Sequence, residues 1–311
     1  MGGRGGSFPS ARFMMEGTGR MGSFYALLTA VMWAAAVVLL KRSGETTAPF
    51  PLNVFRVGFS TVCLALTVLA GGERLFFAAP VRDYLILFAS GVVAIAISDT
   101  LFLMALNRLG AGIMAIVDCL YAPFVVLFAY VILGEGLGPW QWIGMGLVIL
   151  GVLIAARHDP PKGVTARQVL VGSAYGLLSM ITVAFGIVIA KPVLNRSPVL
   201  WATTMRQIGA LAVLVPVALA LPSRRETFGL FRPAAHWKFS VPATLLGSYL
   251  ALIFWIAGMK YSMPGPAAIL NQTSSIYVLI FASIFLKEPF TTRKIIAAAL
   301  AVGGIVMVTI G

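Results

Sequence analysis

The sequence predicts an all-α polytopic membrane protein: ten transmembrane helices arranged as two five-helix repeats that cross the bilayer in opposite senses. Three observations carry that reading. Hydrophobic residues make up 59% of the chain and charged residues only 11%, at a mean hydropathy of +0.95, whereas soluble domains run at about a quarter charged. Apolar stretches of about 20 residues, long enough for a hydrocarbon core of roughly 30 Å, recur along the whole chain, and their continuity favours helices over strands. Finally, the two halves read as copies. Gly22-Ser23-Phe24-Tyr25 answers to Gly172-Ser173-Ala174-Tyr175, Lys41 to Lys191 and Arg56 to Arg206, an offset of 150. The offset drifts to 153 at Asp118 and Asn271, Glu135 and Glu288, and Gly151 and Gly304.

The expected spans are 22–40, 51–70, 84–106, 112–133 and 139–156 in the first half, and 168–190, 199–221, 238–258, 264–286 and 292–310 in the second. Turn chemistry and charge separate them at Lys41–Pro51, Gly71–Asp83, Asn107–Gly110 and Gly134–Pro139. Residues 1–21, rich in Gly, Ser and Arg, read as a mobile tail, and no cleavage-like site follows the first apolar run. The first repeat then covers 22–156 and the second 168–311, divided by a linker at 157–167 that holds Arg157-His158-Asp159-Pro160-Pro161-Lys162-Gly163. Five spans is an odd number, so the second copy must run upside down relative to the first. Inverted repeats of this kind carry a substrate site near the midplane, between the copies, and are typical of secondary transporters.

Several function classes drop out. The net charge of +13 comes from Lys and Arg placed mostly at span ends, where loops and headgroups hold them, so nucleic acid is not an expected partner. Cys63 and Cys119 lie inside apolar segments and read as packing residues. His158 and His236 sit in connecting segments with no companion cluster, so no metal, cofactor or enzymatic activity is expected.

Polar residues inside apolar spans point to a pathway, because a charge at a helix centre costs about 2.5–3.5 kcal/mol and so faces a cavity or a partner. Asn53, Arg56, Ser60 and Thr67 form one stripe on the second span, and Arg206 repeats the theme beside Thr203 and Gln207. Each Arg either snorkels to headgroups or holds a substrate carboxylate or a buried acid. Asp99 and Asp118 lie well inside the third and fourth spans. Each is a candidate proton carrier, or the static partner of Arg56. In the ninth span Asn271, Gln272, Thr273, Ser274 and Ser275 form a polar knot, with Ala267, Asn271 and Ser275 or Ser274 on one face. The knot either lines a cavity or bonds neighbouring helices. Met263-Pro264-Gly265-Pro266 would break the start of that helix.

Trp140, Trp142, Trp201 and Trp237 read as interfacial anchors, while Trp33, Tyr121, Tyr249, Trp255 and Tyr277 lie deeper, as candidate cavity walls. Gly144 and Gly151, with Ala297 and Gly304, make small-residue stripes suited to close helix packing, and Glu135 and Glu288 end spans at corners. The register between the third and eighth spans is ambiguous, so Tyr249 is not securely equated with Asp99.

The corners carry a resemblance. Leu133-Gly134-Glu135, Gln141-Trp142-Ile143-Gly144 and Leu147-Val148-Ile149-Leu150-Gly151-Val152 resemble the end of an EamA domain. Leu286-Lys287-Glu288, Ile295-Ile296 and Gly303-Gly304-Ile305 resemble it again, and Trp33 and Tyr121-Ala122-Pro123 fit the same pattern. Over residues 22–310 the chain is similar to EamA-type members of the drug/metabolite transporter superfamily. That resemblance implies a monomeric ten-helix carrier or exporter of small metabolites, often amino acids, working without ATP in the inner cell membrane. Protons are the candidate coupling ion, membrane lipids the surroundings, and a lipid-translocating protein of the same fold the alternative. It also implies cytoplasmic termini, although more Lys and Arg fall on the linker side, which by the positive-inside rule would place the termini outside. The candidate pathway residues are Trp33, Arg56, Asp99, Asp118, Tyr121, Arg206, Asn271, Gln272 and Ser275.

Overall fold

The computed structural model describes residues 11–72, 74–76, 79–156, 165–261 and 270–310. Most of the linker and the Met263–Pro266 break, with Ala267, lie outside the described residues. Among those residues every regular element is helical. In chain order the first repeat supplies α1 (Ala11–Ser43), α2 (Pro49–Ala70), α3 (Val81–Leu109), α4 (Ala111–Leu133) and α5 (Pro139–Ala156). The second supplies α6 (Ala166–Leu194), α7 (Val199–Ala220), α8 (Trp237–Gly258), α9 (Leu270–Phe285) and α10 (Thr292–Ile310). A short amphipathic turn of helix, Arg224–Gly229, joins α7 to α8.

Local chemistry sets the ends. Proline opens α2 and α5 and directly precedes α3 and α7, where a missing N–H costs nothing. Gly110 and Gly134 stop α3 and α4 at φ of 80° and 70°, a conformation that Cβ-bearing residues avoid. Thr165 and Gln168 form a reciprocal capping box at the start of α6, with amide-to-side-chain bonds of 2.8 and 3.3 Å.

The packing obeys an exchange of halves. Helix α1 lies on α8 and α9, and its counterpart α6 lies on α3 and α4. Helices α2 and α7, α4 and α9, and α5 and α10 each pack on their own counterpart. This is the pattern of a pseudo-twofold axis in the membrane plane, and it follows from two odd-numbered bundles folded on each other. Helices α5 and α10 meet most closely, through small residues. A Cβ on Gly144 would stand 2.5 Å from the Gly304 carbonyl oxygen, and one on Gly151 2.7 Å from that of Ala297.

Both third helices of the repeats carry π-helical turns, Val92–Ile97 in α3 and Thr244–Ala251 in α8. A π turn releases carbonyls from the ladder, and side-chain amides of the second helices collect them. Asn53 donates to Ile95 O and Ala96 O at 3.2 Å each, and Gln207 donates to Ser248 O at 2.9 Å.

Two tryptophans differ from the expectation. Trp201 is 1% exposed, its indole N–H bonded to Leu75 O at 2.9 Å and its ring edge-on to Tyr84. Trp237 donates to Leu230 O and packs on Phe55 and Phe59. The loop that returns past Leu75 covers the Trp201 ring, and Trp237, half-buried, leans on α2 as well as on its own end of α8, neither of which periodicity alone reveals. Trp140 and Trp142 remain outward-facing.

Candidate functional site: a charged cavity between the repeats

A cavity of about 160 Å³ lies between the two bundles, close to the size of a void that accepts a benzene molecule. Eight helices line it; α5 and α10 do not. Of the residues singled out from sequence, Trp33, Arg56, Asp99, Asp118, Tyr121, Arg206, Asn271 and Gln272 face it. Ser275 stands behind the wall, accepting the Cys119 Sγ–H at 3.4 Å, and Ser274 takes its place. Trp255 joins the wall as expected, whereas the Tyr249 hydroxyl pairs with Thr67 at 2.6 Å.

The lining obeys the repeat. Thr29 and Trp33 of α1 match Ser179 and Val183 of α6, and Arg56 and Val57 match Arg206 and Gln207, all at the offset of 150. In α3 and α8 the lining residues match at 153 throughout: Ala94 with Gly247, Ile95 with Ser248, Ser98 with Ala251, Asp99 with Leu252, Phe102 with Trp255. That resolves the register, so the counterpart of Asp99 is Leu252 rather than Tyr249.

Each arginine reaches across to the other repeat. Arg56, 2% exposed, donates Nε–H to Ser248 Oγ at 3.0 Å and pairs through Nη2 with Asp99 Oδ2 at 3.2 Å. Snorkelling is thereby excluded. Arg206, also 2% exposed, donates Nε–H to Ser90 Oγ at 3.0 Å, and the Ser90 hydroxyl in turn donates a hydrogen bond to Gly186 O at 2.6 Å. Both Nη1 groups are buried without a hydrogen-bond partner. Gln207, accepting from Ser60 and Thr61 at 2.8 and 3.2 Å, ties α2 to α7 just behind the arginines.

Asp118 sits where α4 is interrupted. Cys119 and Leu120 close short i→i−3 bonds to Ile116 O and Val117 O, and, one turn on, Pro123, having no N–H, leaves the Cys119 carbonyl without its i+4 donor. In α9 the turn at Thr273 interrupts the helix in the matching region, with Thr273 N–H on Leu270 O at 3.2 Å. Both discontinuities border the cavity, and broken mid-membrane helices are where transporters hold ions and substrates. Among the described residues the Asp118 carboxylate has no ion pair and no hydrogen bond. Tyr121 lies within electrostatic reach of both Asp118 and Arg206.

Sequence reasoning missed Ser90, Ser248 and the Ser98–Ser179 pair, whose hydroxyls lie 3.1 Å apart. Each is a single hydroxyl in an apolar run, a signal that most helices carry without function.

The EamA-like transporter family model matches this chain twice, over residues 20–157 and 170–310. The chain is 24% identical over 230 residues to protein PecM of Dickeya dadantii, covering 71% of this chain and 72% of that one. It is 25% identical over 270 residues to an uncharacterized transporter of Archaeoglobus fulgidus, covering 87% and 91%. A crystal structure shares the fold at a TM-score of 0.65 and 18% identity, over 94% of this chain and 97% of its own. With both bundles matched, the chain belongs to the EamA-like transporter family.

Proposed function

We propose that this protein exports small metabolites, amino acids among them, by alternating access of the central cavity, in exchange for protons. As a family member it is a multi-pass transporter of the inner cell membrane, with a small-molecule substrate and a lipid surround. The observation that carries the finer reading is Asp118, a carboxylate that borders the cavity beside a helix break and has no hydrogen-bond or ion-pair partner among the described residues. Such a group holds either a proton or the ammonium group of a substrate, and mutual exclusion at one site is what exchange requires. Asp99, already engaged by Arg56 at 3.2 Å, serves to position that guanidinium. Both repeats of a single chain line the cavity, which supports a monomeric carrier.

The test is flux in proteoliposomes. Amino-acid efflux is expected to accelerate when protons are supplied on the receiving side, and Asp118→Asn is expected to abolish that acceleration while the protein remains monodisperse. An Asp118→Asn protein that answers the gradient like the wild type would remove the coupling role. A wild type that carries no small metabolite at all would remove the export reading.

A further inference from the structure

The duplication copied the arginines but not the acids. Arg56 and Arg206 occupy equivalent positions, yet Asp99 corresponds to Leu252 and Asp118 to Asn271. Arg56 therefore has a carboxylate within its own repeat, whereas an apolar side chain stands where the partner of Arg206 would be. Among the described residues the side chain of Arg206 keeps a single hydrogen bond, to Ser90, although a guanidinium carries five N–H donors. Its Nη1 is buried with no acceptor, at the wall of a cavity large enough for a small organic molecule. The only carboxylate whose charge reaches it, among the described residues, is Asp99, which is already bonded to Arg56, so two buried guanidiniums share one carboxylate; a fold retains such an under-neutralised cation where an incoming anion supplies the missing charge.

The geometry points to Arg206 as the anchor for a carboxylate on the transported molecule, which fills the vacancy that Leu252 leaves in the second repeat. This rests on the transport reading above and narrows it: the substrate class is a small carboxylate-bearing solute. Recognition is directional, since Ser90 pins Nε–H and turns the remaining guanidinium edge, the edge suited to bidentate carboxylate bonding, away from itself. Tyr121, near Arg206, and Trp255, whose ring centroid lies 6.3 Å from that of Tyr121, offer apolar surface for the rest of the molecule.

Three probes of one shape test it in proteoliposomes: L-leucine, L-leucinamide and isopentylamine, which lacks the carboxyl group altogether. Wild-type protein is expected to carry leucine at least about tenfold faster than either of the others, the discrimination that a charge-assisted hydrogen bond supplies. Leu252→Asp restores the missing internal partner, so it should suppress leucine transport by a similar factor. Leu252→Asn, of the same shape without the charge, changes the wall as well but should suppress leucine transport several-fold less than Leu252→Asp. Arg206→Gln should remove the preference for leucine over leucinamide. Equal carriage of leucine and leucinamide by the wild type, or indistinguishable leucine rates in Leu252→Asp and Leu252→Asn, would overturn the assignment while leaving the transporter reading intact. Movement of none of the three probes by folded, inserted protein would remove the reading and the assignment together.

Discussion

Glu288 holds the N-terminus of α4 from the opposite repeat: its Oε1 accepts the Ala111 N–H at 2.7 Å and its Oε2 accepts the Gly112 N–H at 2.9 Å. Lys294 approaches the same carboxylate at 3.5 Å, and the side chain is only 19% exposed. On the far face its counterpart Glu135 pairs with Lys191 at 2.7 Å, half-exposed. Among the described residues the matched corners thus engage differently; the chain positions equivalent to Ala111 and Gly112 lie outside them. One clamps the two bundles together through a helix N-terminus, where anionic charge is favoured, and the other forms a solvated surface pair.

Glu288→Gln should therefore destabilise the detergent-solubilised protein by about 1–2 kcal/mol, since one amide oxygen replaces two charged acceptors. Glu135→Gln should cost less than about 0.5 kcal/mol, the worth of an exposed pair. Thermal unfolding of both variants checks the ranking, and equal losses would contradict the clamp.

Removing the acid alone from the Arg56–Asp99 pair leaves a buried cation unpaired. Asp99→Asn is expected to cost about 3 kcal/mol, and the double variant Arg56→Met, Asp99→Leu less than that, because the apolar pair has no charge to solvate. A double variant less stable than the single would show that the ion pair contributes net stability.

Asn53 spends its amide hydrogens on the π turn of α3, with Thr100 Oγ1 as a third acceptor at 2.9 Å. Asn53→Ala should cost about 1–3 kcal/mol through the stranded carbonyls. Asn53→Asp should cost more, as it turns a carboxylate oxygen toward those same carbonyls. Melting temperatures of the pair decide it; an Asp variant as stable as the Ala variant would argue against this arrangement.

Two glycines separate packing from transport. A Cβ on Gly91 would collide with the Arg206 carbonyl oxygen, so Gly91→Ala must displace α7 together with its guanidinium. Gly144→Ala meets the Gly304 carbonyl at 2.5 Å, on helices that do not border the cavity. Both should lose about 1–3 kcal/mol of stability. Only Gly91→Ala should also weaken substrate affinity, measured as the concentration for half-maximal flux.

Much of the candidate site was legible because intramembrane polarity is rare and therefore informative. Arg56, Asp99, Asp118, Arg206 and Asn271 stood out against apolar surroundings, and all five border the cavity. Ser275 did not, since a run of five consecutive polar residues cannot state which of its members faces inward. Ser90 and Ser248 were invisible because a lone hydroxyl costs little in a helix. Trp201 was misplaced because only the loop that returns over it decides whether a span-end indole meets lipid or protein.

Composition and span length by themselves determined that this chain crosses a membrane as helices, because backbone groups have no other way to be satisfied in hydrocarbon. The internal repeat, with its odd span number, determined that the two halves run in opposite directions. Which charges are paired was decided only by tertiary structure. The residues that α3 and α8 present to the cavity fix the register between them and put Leu252, rather than an acid, in the place equivalent to Asp99. Pairing is a matter of ångströms between helices far apart in sequence, and no periodicity within a single helix encodes it.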